Sequence, residues 1–299
     1  MLALIKVACA FVFVLLLIRK KCPIGIALLA GGIITAFLFG CGVAETGGKL
    51  WIIWSQKETG EFVLLIAFVL AISLTMEVSG QIGRITLNLR GFVKSTRFSA
   101  AALPSIVGLL PMPGGALFSA PMVEETTRNI EIEAEDKIGM NYWFRHIWEY
   151  SWPLFPGLIY TSQFVLNKST KFLSVVQLPL TLIAVVAGAI FFLRKIPSAV
   201  ALNNTNNTLA KNRHKAFFRF VVEMSPFLII IILHVAAGAS LLLALGISIC
   251  YTVVWNLIKK NIRISELLRK IFVNKHYLGF LIMGYGVKTF GEMLKLSGA

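Results

Sequence analysis

The stretch Ser99–Val123 is apolar enough to lie at membrane depth, yet it contains four prolines and three glycines. Pro111, Pro113, Gly114 and Gly115 interrupt its centre. A proline lacks the backbone N–H and clashes with the preceding turn, so one straight helix through this centre is not expected. A broken segment inside a bilayer must satisfy its freed backbone groups within protein or beside a water-filled cavity. The stretch therefore predicts two half-helices that meet at a Pro–Gly tip, which is how many transporters build ion and substrate sites.

The composition of the chain is typical of a membrane protein. Of its 299 residues, 57% are hydrophobic and 14% are charged, whereas about a quarter of the residues of a soluble domain are charged. Further apolar runs approach the ~20 residues that cross a bilayer. They cover residues 2–18, 22–43, 61–78, 148–166, 172–193, 217–235, 238–257 and 276–294. We therefore predict an all-α, polytopic transmembrane protein embedded in a lipid bilayer.

The formal net charge of +15 does not predict nucleic-acid binding. The Lys and Arg residues lie in short connectors between apolar runs, where the cytoplasmic loops of membrane proteins collect them. The cysteines have no metal-ligand spacing and are interpreted as small apolar side chains. They are Cys9, Cys22, Cys41 and Cys250. The sequence thus predicts no nucleic-acid partner and no bound metal at these positions.

The distribution of Lys and Arg predicts which side of the membrane each connector faces. Nineteen basic residues lie in the connectors 19–21, 79–97, 194–219 and 259–275, and four lie in 44–60, 167–171 and 236–237. This separation places the first group in the cytoplasm, provided that residues 99–123 enter and leave the membrane on the same side. We therefore predict a re-entrant hairpin that enters from the cytoplasm and an external N-terminus.

The segment 124–146 is expected to be cytoplasmic and is unusually acidic. Its six acidic residues are Glu124, Glu125, Glu131, Glu133, Glu135 and Asp136. Their carboxylates could bind a divalent cation, but charge runs are usually solvated. We therefore favour a helical surface connector.

A weak internal repeat relates the two ends of the chain. Ser79–Gly80 and Ser297–Gly298 lie 218 positions apart, and the same shift brings the first three apolar runs within three residues of the last three. The two sets have opposite predicted orientation, as in an inverted-topology repeat. This assigns residues 1–166 to a first repeat, 167–216 to a linking span and basic loop, and 217–299 to the start of a second.

The same shift places a second broken hairpin near residue 317, beyond the last residue of the sequence. We therefore expect the second repeat to be incomplete. The alternative is an asymmetric membrane protein that ends at Ala299.

Three stretches resemble a family of bacterial and archaeal membrane proteins of unassigned function. They are Leu103–Pro104, Pro111–Pro121 and Phe290–Ala299. This family belongs to the ion-transporter superfamily, with the arsenite permeases, citrate–metal symporters, gluconate permeases and sodium–dicarboxylate symporters. The resemblance implies two inverted repeats, a substrate site between two hairpin tips and often a homodimer. It also implies a prokaryotic plasma membrane and transport of a small organic or inorganic anion driven by Na⁺ or H⁺.

The predicted tip has the chemistry of an anion site. The second half-helix begins near Gly114, where its first N–H groups have no intrahelical acceptor and the helix dipole adds positive charge. Gly114 and Gly115 have no Cβ, so a substrate can approach the backbone amides, including that of Ala116. Ser119 lies one turn further and could face the same cavity. The alternative is a tight structural turn without a ligand.

The predicted coupling groups are two carbonyls and one carboxylate. The first half-helix ends near Leu109 and Leu110, whose unpaired carbonyls could coordinate Na⁺. Glu223 lies about two turns into an apolar run and is the candidate for a proton-linked carboxylate, because intramembrane charges are costly and often functional. Lys288 could pair with Glu223. His146 and Glu149 could ligate a metal but fit an interfacial aromatic cluster better.

These features predict a secondary active transporter of a small anion. An intramembrane enzyme is the first alternative, although neither a zinc-ligand pair on one helix nor a nucleophile elbow is found. The second alternative is a membrane scaffold that transports nothing.

Overall fold

The computed structural model describes residues 2–110, 115–197, 212–273 and 275–296. This part of the chain contains helices and no β-strand, which confirms the all-α prediction. Its α-helices are Leu2–Arg19, Ile24–Leu38, Val43–Ser55, Lys57–Val78, Gln81–Phe92, Thr96–Gly108, Gly115–Thr126, Ala134–His146, Pro156–Tyr160, Thr170–Phe191, Arg213–Glu223, Ser225–Ile230, Leu241–Ile258, Ile264–Val273 and Lys275–Leu296. Short 3₁₀ segments lie at Ile147–Tyr150 and Leu193–Lys195, and π-helical turns lie at Thr161–Val165 and Ile231–Ala236.

The protein is a multi-pass membrane protein, as predicted. Within the described residues, four helices are long and apolar enough to cross a bilayer. They are Leu2–Arg19, Lys57–Val78, Thr170–Lys195 and Leu241–Ile258.

The predicted span 217–235 is present but bent. The helix Arg213–Glu223 ends, and the segment Ser225–Ala236 continues at an angle of 54° to it. Pro226 lies in the first turn of the second helix. Because proline has no N–H and its ring clashes with the turn before it, the helix cannot run straight through this position.

The prediction of a continuous span at 148–166 is wrong. A 3₁₀ turn at Ile147–Tyr150 is followed by irregular backbone, and a short helix resumes only at Pro156–Tyr160. Pro153 and Pro156 both lie in this interval, and each removes a backbone donor that a helix would use. Trp148 and Trp152, at the start of this stretch, contact the hairpin instead.

One compact unit comprises residues 1–68 and 268–299. Within it the helix Ile24–Leu38 packs against Lys275–Leu296 through glycines. A Cβ on Gly25 would lie 2.6 Å from the backbone of Ile282, and one on Gly286 would lie 3.2 Å from Cα of Gly25. Small residues allow such close backbone approach between membrane helices, where lipid supplies no hydrophobic driving force.

The second compact unit, residues 69–267, contains the predicted break. Helices of 13 and 12 residues flank it: Thr96–Gly108, here called the first hairpin helix, and Gly115–Thr126, the second. Each is about 20 Å long, too short to cross ~30 Å of hydrocarbon. The two pack against each other and against Ala134–His146. Their shared core consists of Ala100, Val123, Met140, Phe144, Ile147 and Ile196.

Candidate functional site

The candidate site lies where the two hairpin helices approach their common break. The first hairpin helix begins at a Ser95 cap, whose hydroxyl accepts a hydrogen bond from the N–H of Phe98 at 3.3 Å. It ends at Gly108, and the second begins at Gly115. Gly114, a predicted substrate-binding residue, lies outside the described residues together with Pro111–Pro113.

A buried arginine lies against the start of the second hairpin helix. The guanidinium of Arg145 is so close to Gly115 that a Cβ on Gly115 would lie 2.6 Å from Nε and 2.7 Å from Cζ. The side chain of Arg145 is 4% exposed. The positive end of the helix dipole and a full positive charge are therefore adjacent, which makes this corner strongly electropositive.

The guanidinium of Arg145 is hydrogen-bonded to the end of the first hairpin segment. Its Nη2 donates a hydrogen bond to the carbonyl of Leu110 at 3.2 Å. Burial lowers the pKa of the Arg145 guanidinium from its ordinary value, and the charge of Glu149 opposes that shift. Arginine titrates so far above neutral pH that the group remains a cation.

The backbones of the first hairpin helix and of Ala134–His146 touch at Gly108. A Cβ on Gly108 would lie 3.1 Å from the carbonyl carbon of Arg145 and 3.3 Å from Cδ1 of Trp148. Only a residue without a side chain fits this contact. The contact fixes the position of the Arg145 backbone and therefore how far its side chain extends toward Gly115.

Ser119 is fully buried and bonded within the protein. Its hydroxyl lies 2.6 Å from Oδ1 of Asn141 and also contacts the carbonyl of Gly115 at 3.1 Å. Nδ2 of Asn141 donates to the carbonyl of Ala116 at 2.8 Å. Ser119 thus ties the first turn of the second hairpin helix to Ala134–His146. The partners of its hydroxyl are an amide and backbone carbonyls, which do not activate a serine as a nucleophile.

The expectation that the carbonyls of Leu109 and Leu110 are unpaired is wrong. The indole Nε1 of Trp152 donates to the carbonyl of Leu109 at 2.9 Å, and Arg145 donates to that of Leu110. The indole Nε1 of Trp148 donates to the carbonyl of Ser105 at 2.9 Å, one turn before Leu109 in the same segment. A cation at Leu110 would lie beside the guanidinium, and like charges at this distance repel. Na⁺ coordination there is therefore disfavoured.

Glu223 lies at the bend of the broken span and forms an ion pair. Its carboxylate accepts hydrogen bonds from Nε and Nη2 of Arg84 at 2.9 and 3.2 Å. Arg84 also donates to Oδ1 of Asn256 at 3.1 Å and to the carbonyl of Ser79 at 2.6 Å. The two-point contact places both carboxylate oxygens on one guanidinium.

Gln81 extends this polar cluster along the backbone at the bend. Its Nε2 donates to the carbonyl of Glu223 at 2.7 Å, and its Oε1 accepts from Nδ2 of Asn256 at 2.9 Å. Four helices or helix ends are thereby tied together by one hydrogen-bonded network. Polar groups away from water are stabilised when they satisfy one another in this way.

The other predicted polar residues have local partners. Lys288 pairs with Glu292 at 3.0 Å, one turn along the same helix. His146 and Glu149 contact each other at 2.5 Å. In the described residues no group of three metal-ligating side chains comes together. Three of the six acids of 124–146 form ion pairs with basic residues: Glu124 with Lys137, Glu125 with Arg90 and Asp136 with Lys195.

A groove of about 740 Å³ runs between the second hairpin helix and Ala134–His146. Ala116 and Asn141 both line it, so it passes beside the Ser119–Asn141 contact. Its other lining residues are mostly apolar, and Leu117 on its rim is 81% exposed. A cleft of this size can hold a small molecule.

A family of proteins matches the chain over almost its whole length. The family described as "Protein of unknown function (DUF401)" matches residues 2–299. The chain belongs to the DUF401 family. No curated protein matches it. Membership of DUF401 carries no assigned activity, so the chemistry of the site is the basis for a functional proposal.

The residues that hold this DUF401 hairpin were not predicted from the sequence. Asn141, Arg145, Trp148 and Trp152 are spaced by four, three and four positions, which is the spacing of one helical face. All four donate side-chain N–H groups to backbone carbonyls of the hairpin segments. The sequence signal was this row of N–H donors, which crosses the boundary between the predicted connector 124–146 and the predicted span 148–166.

Proposed function

We propose that the protein is a secondary active transporter of a small organic or inorganic anion, with its substrate site at the tip of the hairpin. In this proposal it is a member of the ion-transporter superfamily and works by alternating access. The backbone amides at Gly114, Gly115 and Ala116 bind the anion, and Ser119 positions the turn that carries them.

The observation that carries the proposal is the position of Arg145 beside Gly115. Burying an arginine is expensive, and membrane proteins keep such charges where they serve a substrate or an ion. Here the charge lies at the N-terminal end of a helix, where the dipole also favours an anion. Two independent sources of positive potential thus converge on one corner.

Coupling to Na⁺ or H⁺ is the second part of the proposal. With the carbonyls of Leu109 and Leu110 engaged by donors, Glu223 is the better candidate for the coupling group. In this proposal the coupling ion acts at the carboxylate of Glu223, which pairs with Arg84 at the bend of the broken span.

The test is uptake of anions by the purified protein in proteoliposomes. A panel of labelled carboxylates and inorganic oxyanions is offered under an inward Na⁺ gradient, an inward H⁺ gradient, or neither. We expect gradient-driven accumulation of at least one anion by the wild type and its loss in Arg145→Gln. Arg128→Gln is the matched control, because Arg128 is exposed and lies just beyond the second hairpin helix.

Two results would count against the proposal. If no anion of the panel accumulates with any gradient, transport is refuted, and a scaffold remains. If Arg145→Gln transports as well as the wild type while folding normally, the site is elsewhere. Anion-dependent shifts of the melting temperature provide a second readout, since a bound ligand stabilises the folded state by mass action.

A further inference from the structure

The helix Ile264–Val273 separates apolar from charged side chains around its circumference. Ile264, Leu267, Leu268 and Ile271 follow the i, i+3, i+4, i+7 spacing of one face. The opposite face carries the charged residues of the helix, Glu266, Arg269 and Lys270. An amphipathic helix of this kind has one side for an apolar phase and one for water.

This helix begins close to the end of a membrane span. The span Leu241–Ile258 ends six positions before Ile264, which limits the separation to about 20 Å. Lys260 has a positive φ of 55°, and the chain turns there. Nζ of Lys259 lies 5.0 Å from the centre of the Trp255 ring, at the last turn of the span. Tryptophan and lysine in this arrangement mark a membrane–water interface.

The apolar face of the helix is only partly covered by protein. Leu267 is buried, whereas Ile264 is 53% exposed and Leu268 is 47% exposed. Arg269 and Lys270 are exposed on the other side. The helix therefore exposes apolar side chains on one face and cations on the other.

We propose that Ile264–Val273 lies in the membrane surface and binds the headgroups of anionic phospholipids. Charge complementarity identifies this occupant: residues 259–273 carry five basic side chains and one acidic side chain. Basic residues next to a span are attracted to anionic lipids, and the exposed Ile264 and Leu268 enter the boundary between headgroups and acyl chains. A purely aqueous surface would leave these two side chains in water.

A fluorescent label at Leu268 tests the proposal. The four native cysteines are replaced by serine, Leu268→Cys is labelled with an environment-sensitive dye, and the protein is placed in nanodiscs of phosphatidylcholine with increasing phosphatidylglycerol. We expect a blue shift and quenching by lipids that carry a nitroxide near the headgroup. In Arg269→Gln/Lys270→Gln the phosphatidylglycerol fraction at half-maximal change rises by about threefold or more, because each charge contributes to attraction.

Two controls separate headgroup binding from general effects of charge. Glu266→Gln removes the acidic residue of the helix, so the response should move to lower phosphatidylglycerol. Lys168→Gln/Lys171→Gln removes two positive charges elsewhere and should leave the response unchanged. The proposal is overturned if the label stays in water, or if it is shielded by protein and escapes the lipid quenchers. It is also overturned if quenching does not depend on phosphatidylglycerol or on Arg269 and Lys270.

Discussion

The backbone of Gly108 is in contact with the backbone of Arg145, at the point where the first hairpin helix crosses Ala134–His146. A methyl group on Gly108 would meet a carbonyl that cannot rotate away. We expect Gly108→Ala to lower the free energy of unfolding by about 2 kcal/mol, as overpacking of a tight contact does. Thermal unfolding in detergent measures the change.

The control for this variant is Gly83→Ala. Gly83 lies inside the helix Gln81–Phe92, and nothing lies within 4 Å of a Cβ built there. Alanine should stabilise this helix by about 0.5–1 kcal/mol, because glycine is the poorer helix former. Equal effects of the two substitutions would contradict the close contact at Gly108.

The contact between Gly115 and Arg145 gives a different expectation. A methyl group on Gly115 meets the end of a long side chain, which can move. Gly115→Ala should therefore displace the guanidinium from the carbonyl of Leu110 and lower the free energy of unfolding by about 1–3 kcal/mol, because a buried acceptor loses its donor. It should also weaken anion-dependent stabilisation by about tenfold in apparent affinity, or 1.4 kcal/mol. If the arginine is displaced and the anion-dependent stabilisation is unchanged, Arg145 does not belong to the anion-binding site.

The Ser119 hydroxyl contributes a buried hydrogen bond. Ser119→Ala leaves Oδ1 of Asn141 without its 2.6 Å partner. Because a buried acceptor that loses its donor costs about 1–3 kcal/mol, the variant should unfold at a lower temperature. Ser55→Ala serves as the control, since the Ser55 hydroxyl is exposed and bonds only within its own helix. A melting temperature equal to that of the wild type would show that the Ser119 contact is not stabilising.

The Trp152 indole gives a fourth test. Trp152→Phe keeps an aromatic ring but removes the donor to the carbonyl of Leu109. We expect a loss of about 1–2 kcal/mol in unfolding free energy, because Trp152 is 7% exposed and the carbonyl has little access to water. Trp51→Phe is the matched substitution at a position that is 74% exposed. A larger loss at Trp51 than at Trp152 would contradict the capping role.

The Arg84–Glu223 pair is tested by a double-mutant cycle. Glu223→Gln and Arg84→Gln each leave one largely buried partner without its counter-charge. The double variant should lose less stability than the two single variants add up to, with a coupling energy of about 1–3 kcal/mol. Additive losses would mean that the two side chains do not stabilise each other.

The sequence was sufficient to predict the class of the protein and the break in its hairpin. Long apolar runs and the Pro–Gly centre are local signals, and each acts through backbone chemistry that does not depend on the rest of the chain. The broken segment at 148–166 was misread for the opposite reason. Apolar composition is the same for a lipid-facing helix and for side chains packed on a neighbour, so only the prolines distinguish them.

The pairing of polar groups could not be predicted. Glu223 was identified as a special carboxylate, but its partner Arg84 lies 139 positions away in the chain. The carbonyls of Leu109 and Leu110 were expected to be unpaired because their donors come from other predicted elements: Trp152 from the predicted span 148–166 and Arg145 from the predicted connector 124–146. Long-range contacts of this kind are set by tertiary packing, and local sequence patterns do not show which distant residues will pair.

The two indole caps also have a consequence for biosynthesis. Trp148 and Trp152 each follow their acceptor carbonyls by 43 positions. A chain that is made from its N-terminus presents those carbonyls well before the tryptophans have been synthesised. Water or the insertion machinery must solvate them in the meantime. The hairpin therefore completes these hydrogen bonds only after Trp148 and Trp152 have been synthesised. A nascent chain halted before Trp148 would leave the carbonyls of Ser105 and Leu109 without their indole donors.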